Sequence, residues 1–129
     1  MNRLAIVVSG SRSWTDEAAV FRTLDSKVRG LPPDWQIRLY HGGAKGADQI
    51  AARWASGCGV KAIEVLPDWS AGKFGGKLRN AAMIDRAITE SEGGAVMLCA
   101  FWKGHSAGTA HAVAWATWRN VPISLLFVP

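Results

Sequence analysis

Five short apolar runs recur along the chain, and each gap between them holds a stretch with the spacing of a helix. The runs are residues 4–9 (LAIVVS), 36–40 (QIRLY), 61–66 (KAIEVL), 95–101 (AVMLCAF) and 123–127 (ISLLF). The first and fourth are continuous rather than alternating, as expected of strands covered on both faces. Between the runs, residues 16–28 place Val20, Leu24 and Val28 four apart behind a Thr15 N-cap. Residues 47–58 carry Ile50, Trp54 and Cys58 on one stripe, and residues 78–89 turn Met83, Ile84, Ala87 and Ile88 inward. The fourth helix runs from Thr109 to Arg119. Strand and helix in strict alternation predict an α/β fold: a doubly wound, Rossmann-like parallel sheet of five strands in the order 3-2-1-4-5. In such sheets ligands bind beyond the carboxyl ends of the strands, where the order reverses, here between strands one and four.

The 129 residues, 49% of them hydrophobic, suit a single domain spanning 1–129. A chain of this size buries about two-thirds of its unfolded surface without needing a disulfide or a structural metal. Cys58 and Cys99 have no zinc-ligand spacing and read as buried, reduced thiols of a cytoplasmic protein. Met1, Asn2 and Arg3 leave no room for a signal peptide before the first strand, and no apolar run approaches the ~20 residues of a membrane span. A soluble protein with no membrane partner is expected. The net charge of +5 is spread over 15 single Lys and Arg residues with no basic run. Such a surface draws any anion, a small phosphorylated ligand as well as DNA, so charge alone does not decide between them; nucleic acid is possible but not favoured.

The two edges of the sheet differ sharply. The strand-to-helix loops hold nine of the fourteen glycines, together with Arg12, Lys45, Lys73, Lys77 and Lys103. The return turns, such as residues 29–35 and 91–94, are ordinary. Glycines let a backbone approach a ligand closely, and each loop feeds a helix N-terminus whose free N–H groups favour an anion. The residues singled out for ligand binding are Gly10, Ser11, Arg12 and Trp14 after the first strand, and Gly42, Gly43, Gly46 and Asp48 after the second. Asp68, Trp69, Lys73, Arg79 and Asn80 follow the third, and Lys103, Gly104, Gly108 and Thr109 follow the fourth. None of the loops matches the P-loop or the full G-x-G-x-x-G pattern.

Arg12, between two serines, has the geometry to clamp a phosphate, and Arg79 sits at the start of the third helix, against that helix's dipole. Asp48 reads equally as a contact to a ribose hydroxyl and as a helix cap. Lys73 and Lys77 lie in a long glycine-rich loop able to close over a ligand, or merely to be solvated. Trp14 and Trp69 either stack on a base or pack loop against loop. The fourth helix, apolar nearly all round and carrying Trp115 and Trp118, is either deeply buried or the interface of a homo-oligomer, and the interface is the favoured reading. His41, His105 and His111 lack ligand spacing, and no metal is expected.

Four ordered segments resemble a known family. They are Gly10 to Trp14, His41 to Asp48, Pro67 to Trp69 with Gly72-Lys73 and Arg79-Asn80, and Phe101 to Thr109. Together they are similar to the YspA/YpsA-related branch of the SLOG superfamily, whose relatives include the LOG phosphoribohydrolases and the DprA-like proteins. The resemblance covers essentially the whole chain. It implies a Rossmann-like fold, often oligomeric, that binds nucleotides or NAD-derived molecules. LOG enzymes hydrolyse the N-glycosidic bond of nucleoside 5′-monophosphates, using an arginine and a P-G-G-x-G-T-x-E-E segment. Arg79 matches that arginine and is the candidate catalytic residue, but His111 and Ala112 stand in place of the two glutamates. Without an acid to assist water or an oxocarbenium ion, the expectation is binding without hydrolysis. The protein then senses or sequesters a nucleotide or an NAD/ADP-ribose derivative and requires no cofactor. The alternatives are a nucleotide N-glycosidase and, by analogy with DprA-like relatives, single-stranded DNA binding.

Overall fold

The first strand, β1 (Arg3–Gly10), is buried from Leu4 to Ser9 because it has a neighbour on each side and helices on both faces. The computed structural model of the chain describes residues 2–129, with the backbone alone at residues 69, 71 and 73. β1 pairs in parallel with β2 (Gln36–His41) and with β4 (Ala95–Lys103). β2 pairs in turn with β3 (Lys61–Glu64), and β4 with β5 (Ile123–Val128). The order is β3-β2-β1-β4-β5, as the alternation of runs predicts.

The pleat of β1 divides the core in two. Leu4, Ile6 and Val8 face α1 (Glu17–Val28) and α2 (Ala47–Cys58), where they meet Val20, Leu24, Ile50 and Trp54. Ala5 and Val7 face α3 (Gly75–Glu90) and α4 (Ala107–Trp118), against Met83, Ile84, Ala87, Ala112 and Ala116. Among the described residues no helix is long and apolar enough to cross a membrane.

Several boundaries differ from the sequence reading. Asp16, rather than Thr15, caps α1, its carboxylate accepting the Ala19 N–H at 3.0 Å; a carboxylate suits both the cap and the dipole. Cys58 is exposed, not buried. Each four-residue step overshoots a full helical turn by about 40°, so the stripe begun by Ile50 and Trp54 has swung off the core by Cys58. The long loop before α3 contains a short 3-10 helix, Trp69–Phe74, and α3 itself starts at Gly75, three residues earlier than expected. That segment has no apolar periodicity to announce it. α4 likewise starts early, at Ala107, capped by the Ser106 hydroxyl, which accepts the Thr109 N–H at 3.4 Å.

Candidate functional site

At the carboxyl ends of β1 and β4, the point where the strand order reverses, lies a cavity of about 480 Å³. The end of β1 and its loop supply Ser9 through Ser13, and the loop after β2 with the first turn of α2 supplies Ala44 and Asp48. α3 contributes Gly76, Lys77, Arg79 and Asn80, and the start of α4 contributes His105 through Thr109. Three helix N-termini thus open on one space. α2 and α3 have no side-chain cap, and neither α3 nor α4 has an acid in its first turn. α1, which lends the cavity no residue, carries both Asp16 and Glu17 at its start. The first turns of α3 and α4 are thus free of acids, where an anion would gain from the dipole, while the first turn of α2 carries Asp48.

Arg79 is fixed by the protein. Its Nη1 donates to the Gly42 carbonyl at 2.8 Å and to the Val65 carbonyl at 3.3 Å, and its Nε donates to Asn80 Oδ1 at 2.8 Å. Asn80 passes the link on, its Nδ2 donating to the Gly108 carbonyl at 3.0 Å. One chain of bonds therefore ties the loop after β2 to the first turn of α4. Burial lowers the Arg79 pKa and the nearby Arg12 adds to this, while Asp48 opposes both.

Asp48 is buried in the first turn of α2, with Oδ2 accepting the N–H groups of Gly42 at 3.0 Å and Ala44 at 3.4 Å. Burial pushes its carboxyl up to about 6, against the pull of Arg79, the Ala44 and Gly42 amides and Arg12. His41 Nδ1 accepts the Gly43 N–H at 3.1 Å, and burial lowers its pKa, which favours the neutral ring.

Of the sequence candidates, Gly10, Ser11, Arg12, Asp48, Arg79, Asn80, Gly108 and Thr109 line the cavity. Others are placed elsewhere. Trp14 is a core residue at 3% exposure, its ring tilted on Phe101 at 5.6 Å and its Nε1 donating to the Asp16 carbonyl at 3.0 Å; a base cannot stack on it. Asp68 caps the 3-10 helix, accepting the Ser70 N–H at 3.0 Å. The Lys103 and Gly104 side of β4 faces solvent outside the cavity, although the Lys103 backbone is fastened to the Ser11 hydroxyl at 2.8 Å. Trp69 and Lys73 lie outside the described side chains.

Gly42 and Gly46 serve loop-on-loop contact rather than ligand approach. A Cβ at Gly42 would overlap the Arg79 guanidinium, and one at Gly46, where φ is +81°, would overlap the Ser11 carbonyl. Gly43 lies off the cavity too, against the Glu64 carboxylate. The sequence reading did not count Lys77, His105, Ser106 or Ala107 among the ligand-binding residues, yet they line the wall, because α3 and α4 begin earlier than their apolar periodicity does. His111 and Ala112 contribute nothing to the lining: Ala112 is fully buried, and His111 stacks on Trp115 at 6.4 Å. Among the described residues no three His, Cys, Asp or Glu side chains cluster closely enough for a metal ion.

The profile of the YspA, cpYpsA-related SLOG family matches residues 4–72, from β1 into the 3-10 helix, a span that includes Arg12 and Asp48. The Gene 61 protein of Mycobacterium phage D29 is 35% identical over 124 residues, covering 92% of each chain. The chain belongs to the YspA, cpYpsA-related SLOG family. Among solved structures, this SLOG chain resembles TM1055, a structural-genomics target, with a TM-score of 0.58 and 18% identity over 95% of this chain and 72% of that one. At that identity the likeness is one of fold. The DNA processing protein A (DprA) of Streptococcus pneumoniae superposes with a TM-score of 0.47 and 16% identity, over 93% of this SLOG chain and 58% of its own.

Proposed function

We propose that this SLOG domain binds a nucleotide or an NAD/ADP-ribose derivative at the carboxyl edge of its sheet and acts as a sensor or sequestering protein. The observation that carries this reading is the convergence of the α2, α3 and α4 N-termini on one cavity, with Arg12 and Lys77 exposed on its wall. One helix end contributes only about 0.3–1 kcal/mol toward an anion, so several ends plus free cations are what useful affinity requires. Binding of this kind uses the chain's own donors and needs no cofactor. A cytoplasmic setting, where such ligands are abundant, suits two cysteines that are free thiols.

Binding without hydrolysis is favoured because His111 and Ala112, neither of them an acid, stand where LOG enzymes keep their glutamates, and neither lines the cavity. The competing N-glycosidase reading draws on one feature, a protonatable carboxylate at Asp48 beside Arg79. Calorimetry with nucleoside monophosphates and ADP-ribose, followed by chromatography of the recovered compound, separates the two. Tight binding with the ligand returned intact supports sequestration, whereas steady release of free base replaces it with catalysis. In that event Arg79→Ala should abolish turnover. Single-stranded DNA binding would instead show steep salt dependence in a shift assay.

The same reading includes a homo-oligomer, with a second copy covering the outer face of α4 and β5. Trp118 is 69% exposed there, and Leu125 and Phe127 are 49% and 54% exposed. Trp115 is not available to that contact in the same way, since its Nε1 donates to Asp85 at 2.9 Å.

A further inference from the structure

The two edges of the sheet are guarded unequally. β3, at one edge, has only four residues and exposes a charge at each end, Lys61 and Glu64. Short length and charge are the usual defences of a strand whose outer peptide groups would otherwise recruit another strand. β5, at the other edge, has six residues, with no charge and no proline among them. Ile123 packs into the α3 and α4 side of the core, so Leu125 and Phe127 share that face, while Leu126 and Val128 take the other. All four are exposed, Leu126 and Val128 at 38% and 39%. A strand that is apolar on both faces and open along its edge calls for another strand beside it.

The hydrogen bonding of β5 fixes how that strand would pair. The Leu98 N–H donates to the Pro122 carbonyl at 2.9 Å and the Gly104 N–H to the Val128 carbonyl at 3.0 Å. Peptide groups alternate along a strand, so those of residues 122, 124, 126 and 128 point to β4, and those of Ile123, Leu125 and Phe127 point outward. This pattern is self-complementary. Turned about a twofold axis normal to the sheet at Leu126, an identical β5 runs antiparallel. Leu125 then exchanges both hydrogen bonds with Phe127 of the second copy, and Leu126 meets its own counterpart. Like faces stay together, so apolar side chains oppose apolar ones and no charge is set against a like charge. The operation also keeps both α4 helices on one side of the joined sheet. With Trp118, the exposed side chains of residues 125–128 offer roughly 500 Å² per copy, or about 1,000 Å² for the pair, the size at which a specific interface begins.

We infer that β5 pairs antiparallel with β5 of a second copy of this chain, joining two five-stranded sheets into one of ten strands. The inference rests on the homo-oligomer reading and goes beyond it by placing the contact on the sheet edge and fixing its register.

The test is cysteine crosslinking of the whole chain in a Cys58→Ser background, because Cys58 is exposed and Cys99 buried. Residues that face each other in an antiparallel pair have Cα atoms about 4.5–5.5 Å apart, within reach of a disulfide. Under mild oxidation Leu126→Cys should shift from monomer to covalent dimer on a non-reducing gel. Leu125→Cys and Phe127→Cys should not, since each would stand about 8 Å from its own counterpart, beyond disulfide reach. Equal crosslinking at all three positions overturns the inference. Hydrogen exchange on the wild-type chain needs no variant: the Leu125 and Phe127 amides should be protected where the chain is dimeric and lose that protection on dilution. Exchange at the solvent rate in an oligomeric chain overturns the inference while leaving the homo-oligomer reading intact. A chain that is monomeric at every concentration overturns both.

Discussion

Arg79 and Gly42 are fitted to one another: the guanidinium donates to the Gly42 carbonyl at 2.8 Å and occupies the space where a Cβ at Gly42 would sit. The arginine conspicuous in the sequence as a candidate ligand contact is thus also a strut between loops. Its remaining bonds run through Asn80 to Gly108, so the pair holds two walls of the cavity at a set distance.

Gly42→Ala should displace Arg79 and cost about 1–3 kcal/mol, as forced overpacking does. Urea unfolding of the two proteins measures this, and nucleotide affinity should fall alongside. An unchanged midpoint would mean that the arginine relocates freely and the strut is unimportant.

Arg12 and Trp14 should behave in opposite ways although they are two residues apart. Arg12→Gln removes an exposed cation from the cavity, so affinity should drop about tenfold while stability stays within ~0.5 kcal/mol. Trp14→Phe should lower stability by roughly 1–3 kcal/mol, through lost packing on Phe101 and a lost hydrogen bond to Asp16, with binding unchanged. Paired thermal melts and calorimetry would expose a reversed pattern.

Asn80→Leu leaves the Arg79 Nε–H and the Gly108 carbonyl without their partner, at an expected cost of about 1–3 kcal/mol. Asn80→Asp should fare no better, since it keeps an acceptor for Arg79 but sets a second oxygen against the Gly108 carbonyl. If Asn80→Asp melts with the wild type, the amide is not the link.

Asp48 makes stability depend on pH in a definite direction. Its carboxyl titrates at about 6 in the folded chain and near the ordinary aspartate value of about 4 when unfolded. Between those values the folded chain holds more proton than the unfolded one, so stability rises as pH falls across the window. Above about 6 the full cost of an ionised buried carboxylate is present. Relative to Asp48→Asn, the wild type should therefore gain stability between about pH 7 and about pH 4.5. Parallel urea midpoints for the two proteins over that range would contradict the assignment.

Trp118→Glu places a charge on the exposed end of α4 and should convert an oligomer to monomer without unfolding it. Light scattering behind a sizing column reads the outcome. A wild-type chain that is itself monomeric at high concentration would remove the proposed second copy.

The architecture was legible where local patterning carries it. Continuous apolar runs marked the buried strands, and α2 was bounded correctly because Gly46 and Gly59, both at positive φ, flank its apolar stripe. The start of α3 was not legible, because Gly75, Gly76 and Lys77 carry no periodic apolar signal, and Lys77 was consequently read as a loop residue. Trp14 was misplaced for a related reason: its position in a binding-edge loop is visible in sequence, but its contact with Phe101 spans most of the chain.

By itself, then, the sequence determined the order of strands and helices, the edge of the sheet that carries the glycines and cations, and the family. Those properties follow from near neighbours and from the rule that parallel strands cross over with one hand. Only the tertiary structure decided which glycines face ligand and which face another loop, that Arg79 is spent on Gly42 and Asn80, and that Asp48 keeps one oxygen unpaired. Each of these depends on which loops meet at the ends of β1 and β4. That meeting is set by packing between distant segments, and local spacing carries no record of it.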